Sequence, residues 1–326
     1  MLDTVSRGEG PAATILDVAR RAGVSRTTVS RVLNEPELVT ADTLKRVQDA
    51  AAALNFTPNR AARGLRSGRS GVIALLVGDI AQPFHGALAQ AVAAAADRHG
   101  LAVMLYDLAH SETRLEVTLD RLSQQGVDAI LIATADRIAT PPVEEVVGRC
   151  IGRGIPVITG TKQFAASGVV AVDNDFAQCT RLAVDLLTRS GALHPVLLLG
   201  DSRGGVGSAL HDGAAELDVL VTGYDIDAAA EAVRSLDAEV DALIVQNLPL
   251  ALGAIAAMRD AGRELPVVLC EDVPLAAHMT PAFTTAAVSP ARTGEELVRL
   301  AAAAIRGEVP RPEHLQPQLV VRASAR

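Results

Sequence analysis

Between residues 14 and 58, apolar residues recur at intervals of three and four, which is the spacing of short amphipathic helices. Thr14 and Ser25 stand where helix N-caps are expected, and Gly23 ends the first helix. A third helix begins near residue 40. Three short helices, the first two joined by a glycine turn, predict a helix-turn-helix domain.

From Val72 onward, strand-like apolar runs alternate with amphipathic helical stretches. Repeated strand–helix units predict parallel sheets with helices on both faces, hence an α/β fold. About ten strands are too many for one open sheet of this length, which predicts two lobes. The runs are Val72–Val77, Ala102–Tyr106, Ala129–Ala133, Pro156–Thr159, Val169–Val172, Val196–Leu199, Val219–Thr222, Ala242–Val245 and Val267–Leu269.

These patterns predict the domain boundaries. Residues 1–13 are a polar, disordered lead, residues 14–58 the helix-turn-helix domain and residues 59–71 a linker rich in arginine, alanine and glycine. The remainder, 72–326, is the two-lobed domain, and we expect a crossover between lobes at Val169–Asp173. The N-lobe comprises about 72–161 plus 290–318, and the C-lobe about 162–289 plus 319–326.

Charge is distributed unevenly along the chain. Residues 1–70 hold 11 Arg and Lys against 7 Asp and Glu, whereas the rest holds 19 against 31. A basic head on an acidic body favours a nucleic-acid partner. The three cysteines are far apart, which predicts neither disulfides nor a metal site and fits a reducing cytosol. With no secretory segment or long apolar run, we expect a cytoplasmic protein without membrane contact.

The N-terminal motif is specific enough to indicate a family. The run TILDVARRAGVSRTTVSRVLN over Thr14–Asn34 closely resembles the DNA-binding module of the lac-repressor (LacI/GalR) family. Phe56–Leu65 is similar to the family's hinge. Weaker similarities follow in the family's order: Pro83-Phe84, Val172–Asn174, Thr280–Thr285, and a tail with Pro317, Leu319, Arg322 and Ser324. The resemblance covers nearly the whole chain after residue 13.

The resemblance assigns roles within the second helix, whose first residues enter the major groove in helix-turn-helix proteins. Arg26, Thr27 and Arg31 hold the base-reading positions, where an arginine can bind guanine O6 and N7 with two hydrogen bonds. Ser25, Thr28 and Ser30 are expected at DNA phosphates.

In the family, the hinge becomes helical on the operator and a leucine wedges into the minor groove. Leu65 holds that position, and Asn59 and Ala62 are the accompanying hinge contacts. Gly64 stands where a helix-favouring residue would be expected, so formation of the hinge helix should depend more strongly on DNA.

The two-lobed part resembles periplasmic sugar-binding proteins, whose ligands lie between the lobes at the carboxyl ends of strands. By family position, Phe84, Asp173, Asn247 and Asp272 are expected effector contacts, and Arg203 is a substitute for a missing arginine. That arginine position is Leu210, and Leu248 stands where an aspartate is common. An ordinary sugar effector is therefore not expected.

Two other functions compete with this interpretation. Gly204-Gly205-Val206-Gly207, with Asp225 twenty residues past Gly205, is similar to an NAD-type dinucleotide-binding unit, although Leu210 occupies the third glycine position. A solute-binding protein would share the two-lobed body but lack the DNA-binding head. No Ser-, metal- or phosphate-based catalytic motif is present, so neither an enzyme nor a cofactor is expected.

The sequence therefore predicts a repressor that binds a palindromic operator as a homodimer under the control of a small-molecule effector.

Overall fold

The computed structural model describes residues 13–34, 36–56, 69–164, 168–201 and 204–325. The chain divides at Ser70 into two compact units. The first unit contains α1 (Ile15–Ala22), α2 (Arg26–Asn34), a 3-10 turn (Pro36–Leu38) and α3 (Ala41–Ala53). Among the described residues, no helix has the length and apolar character needed to cross a bilayer.

Local sequence sets these helix ends. The Thr14 hydroxyl accepts from the Asp17 amide at 3.4 Å while the Asp17 carboxylate accepts from the Thr14 amide at 2.9 Å, a reciprocal capping box. Gly23 ends α1 in the left-handed region (φ 64°), as the sequence predicted. The three helices close on a small core. Its buried members are Val18, Ala19, Ala22, Val29, Val32, Val47 and Ala50.

The first lobe of the second unit is built on a parallel five-stranded sheet. The strands run in the order β2-β1-β3-β4-β5. They are β1 (Val72–Val77), β2 (Ala102–Asp107), β3 (Ala129–Ala133), β4 (Val157–Thr159) and β5 (Val170–Ala171), with α4 (Pro83–Arg98), α5 (Glu112–Gln125) and α6 (Pro141–Gly152) between them. Because helices cover both faces, β1, β3 and β4 are nearly continuous buried apolar runs.

The second lobe has a six-stranded sheet in the order β13-β11-β10-β9-β7-β8, in which only β13 is antiparallel to its neighbour. The strands are β7 (Pro195–Leu199), β8 (Asp218–Val221), β9 (Ala242–Val245), β10 (Val267–Leu269), β11 (Thr284–Ala287) and β13 (Gln318–Val320). The helices are α7 (Phe176–Arg189), α8 (Gly205–Asp212), α9 (Ile226–Arg234) and α10 (Leu248–Asp260). A short parallel pair, β6 (Asp173–Asn174) and β12 (His314–Leu315), lies at the crossover.

Over the residues that the structure describes, the chain passes between the lobes three times. It leaves the first sheet after β5, which reaches Ala171, beyond the approximate lobe limit of 161 expected from the sequence. It returns after β11 as α11 (Pro290–Ile305), which packs on α4, β3 and β4 of the first lobe. Close packing there requires Gly294, where a Cβ would lie 2.9 Å from Ala91 Cβ. Finally β13 joins the second sheet, so the predicted two-lobed α/β fold is confirmed.

Candidate functional site

The outward face of α2 carries the polar residues singled out in the sequence. Arg26, Thr27 and Arg31 are exposed, whereas Val29 and Val32 on the opposite face are buried against α1 and α3. Because of the helical period, one face of α2 packs into the core, and the opposite face carries two guanidinium groups and a hydroxyl group. This is the arrangement needed to present side chains to base edges.

Ser25 acts first as the cap of α2. Its Oγ accepts from the Thr28 amide at 3.1 Å and lies 2.7 Å from Thr27 Oγ1 and 2.8 Å from Thr28 Oγ1. These three residues place hydroxyl groups at the start of α2, where the helix dipole favours anions. Ser30, one turn further on, is half-buried.

Arg46 of α3 fixes the turn between α1 and α2. Its Nη2 donates to the carbonyl oxygen of Ala22 at 2.6 Å and to that of Gly23 at 3.3 Å. These carbonyls end α1 and would otherwise lack helical partners. The angle between the first two helices is thus held by a charge-assisted hydrogen bond from the third.

Four predicted site residues fall outside the described part of the chain: the hinge residues Asn59, Ala62 and Leu65, and Arg203. Their roles remain predictions.

A cleft opens between the two lobes at the carboxyl ends of the strands, with about 600 Å³ of empty volume including the part open to solvent. Its lining comes from both lobes and is mainly apolar with several amides. The residues are Gln82, Phe84, His85, Leu88, Ala133, Thr134, Ala135, Gly160, Thr161, Asn174, Phe176, Val206, Gln246, Asn247, Cys270, Glu271 and Thr293.

Glu271, which follows β10, is the acidic group of this cleft. It is only 7% exposed, and its Oε2 accepts from the Leu248 amide at the start of α10, at 2.9 Å. Burial raises the pKa of Glu271 to about 7, and the hydrogen bond from Leu248 opposes that rise only in part. The cleft therefore holds a carboxyl group that exchanges its proton near neutral pH.

The expected contacts Phe84 and Asn247 both line the cleft. Phe84, in the first turn of α4, and Phe176, in the first turn of α7, supply aromatic rings to it. Asn247 is the N-cap of α10, and its Oδ1 accepts from the Leu250 amide at 3.2 Å. The Asn247 side chain is thereby oriented by the helix that it begins.

Asp173 and Asp272, also expected as effector contacts, are not among the cleft-lining residues. Asp173 forms ion pairs with Lys162 and with His314 at 3.1 Å, and the hydrogen bond from Lys162 lowers its pKa. Asp272 lies 3.3 Å from Nη2 of Arg322 and 3.1 Å from the hydroxyl of Thr285. Asp173 is thus engaged by the loop after β4 and by β12, and Asp272 by β11 and the C-terminal tail.

Sequence reasoning missed Glu271 by one position. Side chains of an extended segment alternate between faces, so residues 271 and 272 point to opposite sides of the chain beyond β10. The available signal was that Cys270 and Glu271 directly follow a buried run. Phe176 and Gln246 were missed as well, and Gln246 accepts from the Gly200 amide at 2.8 Å.

A polar cluster adjoins the cleft on the first lobe. His110 Nδ1 lies 2.9 Å from Asp136 Oδ1, and Thr134 donates to Asp136 Oδ2 at 2.5 Å. Burial is the largest single influence on His110 and disfavours its charged imidazole. The hydrogen bond to Asp136, together with the charges of Asp136, Asp79 and Asp107, outweighs burial and raises the pKa of His110. Burial lowers the pKa of the neighbouring His85, which favours its neutral ring.

Comparison with known proteins agrees with this geometry. Residues 14–59 match bacterial regulatory proteins of the lacI family, residues 70–211 match the periplasmic binding proteins and sugar binding domain of the LacI family, and residues 202–325 match a periplasmic binding protein-like domain. The maltose regulon regulatory protein MalI of Escherichia coli K12 is 30% identical over 266 residues, covering 77% of this chain and 76% of MalI.

Two solved structures extend the comparison over nearly the whole chain. A complex of the transcriptional regulator CelR with cellobiose is 26% identical with a TM-score of 0.66, covering 96% of this chain and 99% of CelR. The lac repressor dimer bound to operator and an anti-inducer has the same fold, with a TM-score of 0.81 at 23% identity and coverage of 96% and 99%.

A helix-turn-helix unit followed by a two-lobed unit with a ligand cleft defines a DNA-binding transcriptional regulator with an effector-binding domain. The chain belongs to the LacI family of bacterial regulatory proteins. It is a regulator and not an enzyme, and the glycine-rich turn at Gly204–Gly207 begins a helix of its effector-binding domain.

Proposed function

We propose that this protein is a repressor that binds a palindromic operator as a homodimer in the cytoplasm, at the nucleoid. A small molecule in the cleft changes its affinity for that operator. In this proposal residues 14–58 read the DNA, residues 59–71 form the hinge and residues 72–326 bind the effector. The exposed face of α2 carries the proposal, because Arg26, Thr27 and Arg31 stand together opposite the core.

The DNA-reading role is tested by site selection from random-sequence DNA, followed by anisotropy titration of the selected site. Arg31→Ala should lose about 1–3 kcal/mol of specific binding and relax one base preference. Arg121→Ala, at an exposed position of α5, is the matched control and should bind like the wild type. Failure of the wild type to enrich any sequence would contradict the repressor function.

An exposed apolar edge supports the homodimer. Among the described strands β2 pairs with β1 alone, yet its central residues Met104 and Leu105 are 40% and 46% exposed. Successive strand residues face opposite sides, so both sides of this edge present large apolar side chains. Val117 on α5 is a further exposed apolar residue of the same lobe, with 52% of its surface accessible. A second copy of the chain would cover these residues, which are otherwise an aggregation hazard.

For the effector, we propose contacts with Phe84, Phe176, Asn247 and Glu271. Glu271 offers a free carboxyl oxygen to a hydroxyl or amine donor, while the phenyl rings accept an apolar face. Leu210 and Leu248 are fully buried and apolar where the family commonly has polar groups. We therefore expect an effector with fewer hydroxyl groups than a free sugar. Asp173 and Asp272 act instead through their ion pairs at the crossover and the tail.

The effector proposal is tested by a thermal-shift screen of small molecules on the full-length protein, followed by operator titration with each hit. Glu271→Gln and Phe84→Ala should each weaken a true hit at least tenfold. Glu264→Gln, at an exposed position of the same lobe, should leave its affinity unchanged. A hit that binds both cleft variants like the wild type lies elsewhere and contradicts this site.

A further inference from the structure

The glycine-rich turn that begins α8 touches the opposite lobe. A Cβ at Gly205 would lie 2.2 Å from the carbonyl oxygen of Ala135, and a Cβ at Gly204 would lie 3.0 Å from Cβ of Arg137. Ala135 and Arg137 belong to the loop after β3 of the first lobe. Gly205 also has φ +60°, a conformation that side chains disfavour. Glycine at 205 therefore permits an approach of the two lobes that any other residue would prevent.

A second contact joins the lobes nearby. His110 follows β2 of the first lobe and Tyr224 follows β8 of the second, and their rings stack with centroids 4.4 Å apart and planes 11° from parallel. Stacking at this distance is an attractive arrangement for two aromatic rings. The contact joins strand ends that lie in different sheets.

Each ring is fixed by its own lobe. The His110 imidazole is bound at Nδ1 by Asp136 and at Nε2 by the Gln82 amide, at 2.9 Å in both cases. The Tyr224 ring occupies the space above Gly200, where a Cβ would lie 2.2 Å from its edge. Because both rings are already oriented, little side-chain freedom is lost when they meet.

We propose that these two contacts, Gly204-Gly205 on the loop after β3 and Tyr224 on His110, form an interlobe latch. The latch holds the lobes in the arrangement described here. The latch rests on the proposed function in one respect. It sets the equilibrium between lobe arrangements, and an effector would change operator affinity through that same equilibrium.

Spin-label distance measurements on the full-length protein test the latch directly. Labels at Arg121→Cys on α5 and Asp227→Cys on α9 report the separation of the two lobes, and both positions are exposed. The three native cysteines are buried, with at most 8% of any of them exposed, which limits their reaction with the label. Gly205→Ala should move the maximum of the distance distribution away from its wild-type position, because the added methyl group would overlap the carbonyl oxygen of Ala135.

Gly262→Ala is the matched control. Gly262 has φ +62°, nearly the value at Gly205, but a Cβ there would have no atom within 4 Å. The control therefore introduces the same backbone strain without the steric contact, and its distance distribution should equal that of the wild type.

A second pair of variants keeps the test decisive if Gly205→Ala does not fold. Tyr224→Leu removes the stacked ring and should broaden or displace the distribution, whereas Tyr224→Phe keeps the ring and should not. Wild-type distributions for every folded variant among Gly205→Ala and Tyr224→Leu would overturn the latch. Operator affinity of the same variants separates the two proposals. Displaced distances with unchanged operator affinity would support the latch and contradict control of DNA binding by the lobes.

Discussion

Replacement of Glu271 by glutamine should make the protein more stable above neutral pH, although it removes a proposed effector contact. Burial raises the pKa of Glu271 from 4.5 to about 7. A carboxyl group whose pKa is higher in the folded state stabilises the fold while it is protonated. This stabilisation is lost as the pH rises from 4.5, through the pKa of the folded state at about 7. Relative to a neutral side chain, Glu271 should therefore cost the folded state about 3 kcal/mol at pH 8, where it is ionised in both states. At pH 5, where mainly the unfolded chain ionises it, the cost should be about 1 kcal/mol.

Glutamine retains the hydrogen bond, since its Oε1 can accept from the Leu248 amide as the carboxylate does. Glu271→Gln should therefore raise the melting temperature of the second unit by several degrees at pH 8 and much less at pH 5. Calorimetry of the full-length protein at both pH values measures the difference, with Glu264→Gln as the exposed control. A variant equally stabilised at both pH values, or less stable than the wild type at pH 8, would refute the reasoning.

Three other substitutions address the remaining parts of the molecule. Ser25→Ala removes the acceptor for the Thr28 amide and should destabilise the start of α2 by about 1 kcal/mol, seen as roughly fivefold faster hydrogen exchange there; Ser25→Asp should keep the cap. Leu65→Ala should reduce operator bending and specific affinity while sparing non-specific binding, and equal losses on both DNAs would indicate general destabilisation. Leu105→Asp should shift sedimentation from dimer to monomer with the helix content unchanged, and a persistent dimer would exclude the β2 edge from the interface.

The sequence predicted the elements whose signals are local. The ends of α1 followed from Thr14 and Gly23, and β1, β3, β9 and β10 agree with the predicted runs because each is an apolar segment between clear breaks. β11 was not predicted as a strand, because Thr284–Ala287 consists of threonine and alanine and is recognised only by its burial between β10 and β13. The bridging strands β6 and β12 are each two residues long. They form only because two segments that are distant in sequence pair with each other.

The candidate site was predictable to a similar extent. The α2 face follows from helical period alone, whereas the cleft depends on which side of an extended segment a residue faces. Glu271 lines the cleft and its sequence neighbour Asp272 does not, because the two side chains face opposite sides of the chain. The sequence of the glycine-rich turn is similar to a dinucleotide-binding motif, because glycine indicates a close approach of the backbone without identifying the neighbour. Here the neighbour is the Ala135 carbonyl of the other lobe, which only the folded chain reveals.

The return of α11 to the first lobe has a consequence for synthesis of the protein. α11 buries an apolar face, including Leu297, Val298, Leu300 and Ala301, against elements made about 130–220 residues earlier. On the ribosome, the first unit can complete its core as soon as α3 emerges. The first lobe must wait until residue 305 has left the exit tunnel, and the second lobe must wait for β13. A message truncated before Pro290 would therefore yield a chain with a finished helix-turn-helix and two unfinished lobes, which is a substrate for proteases.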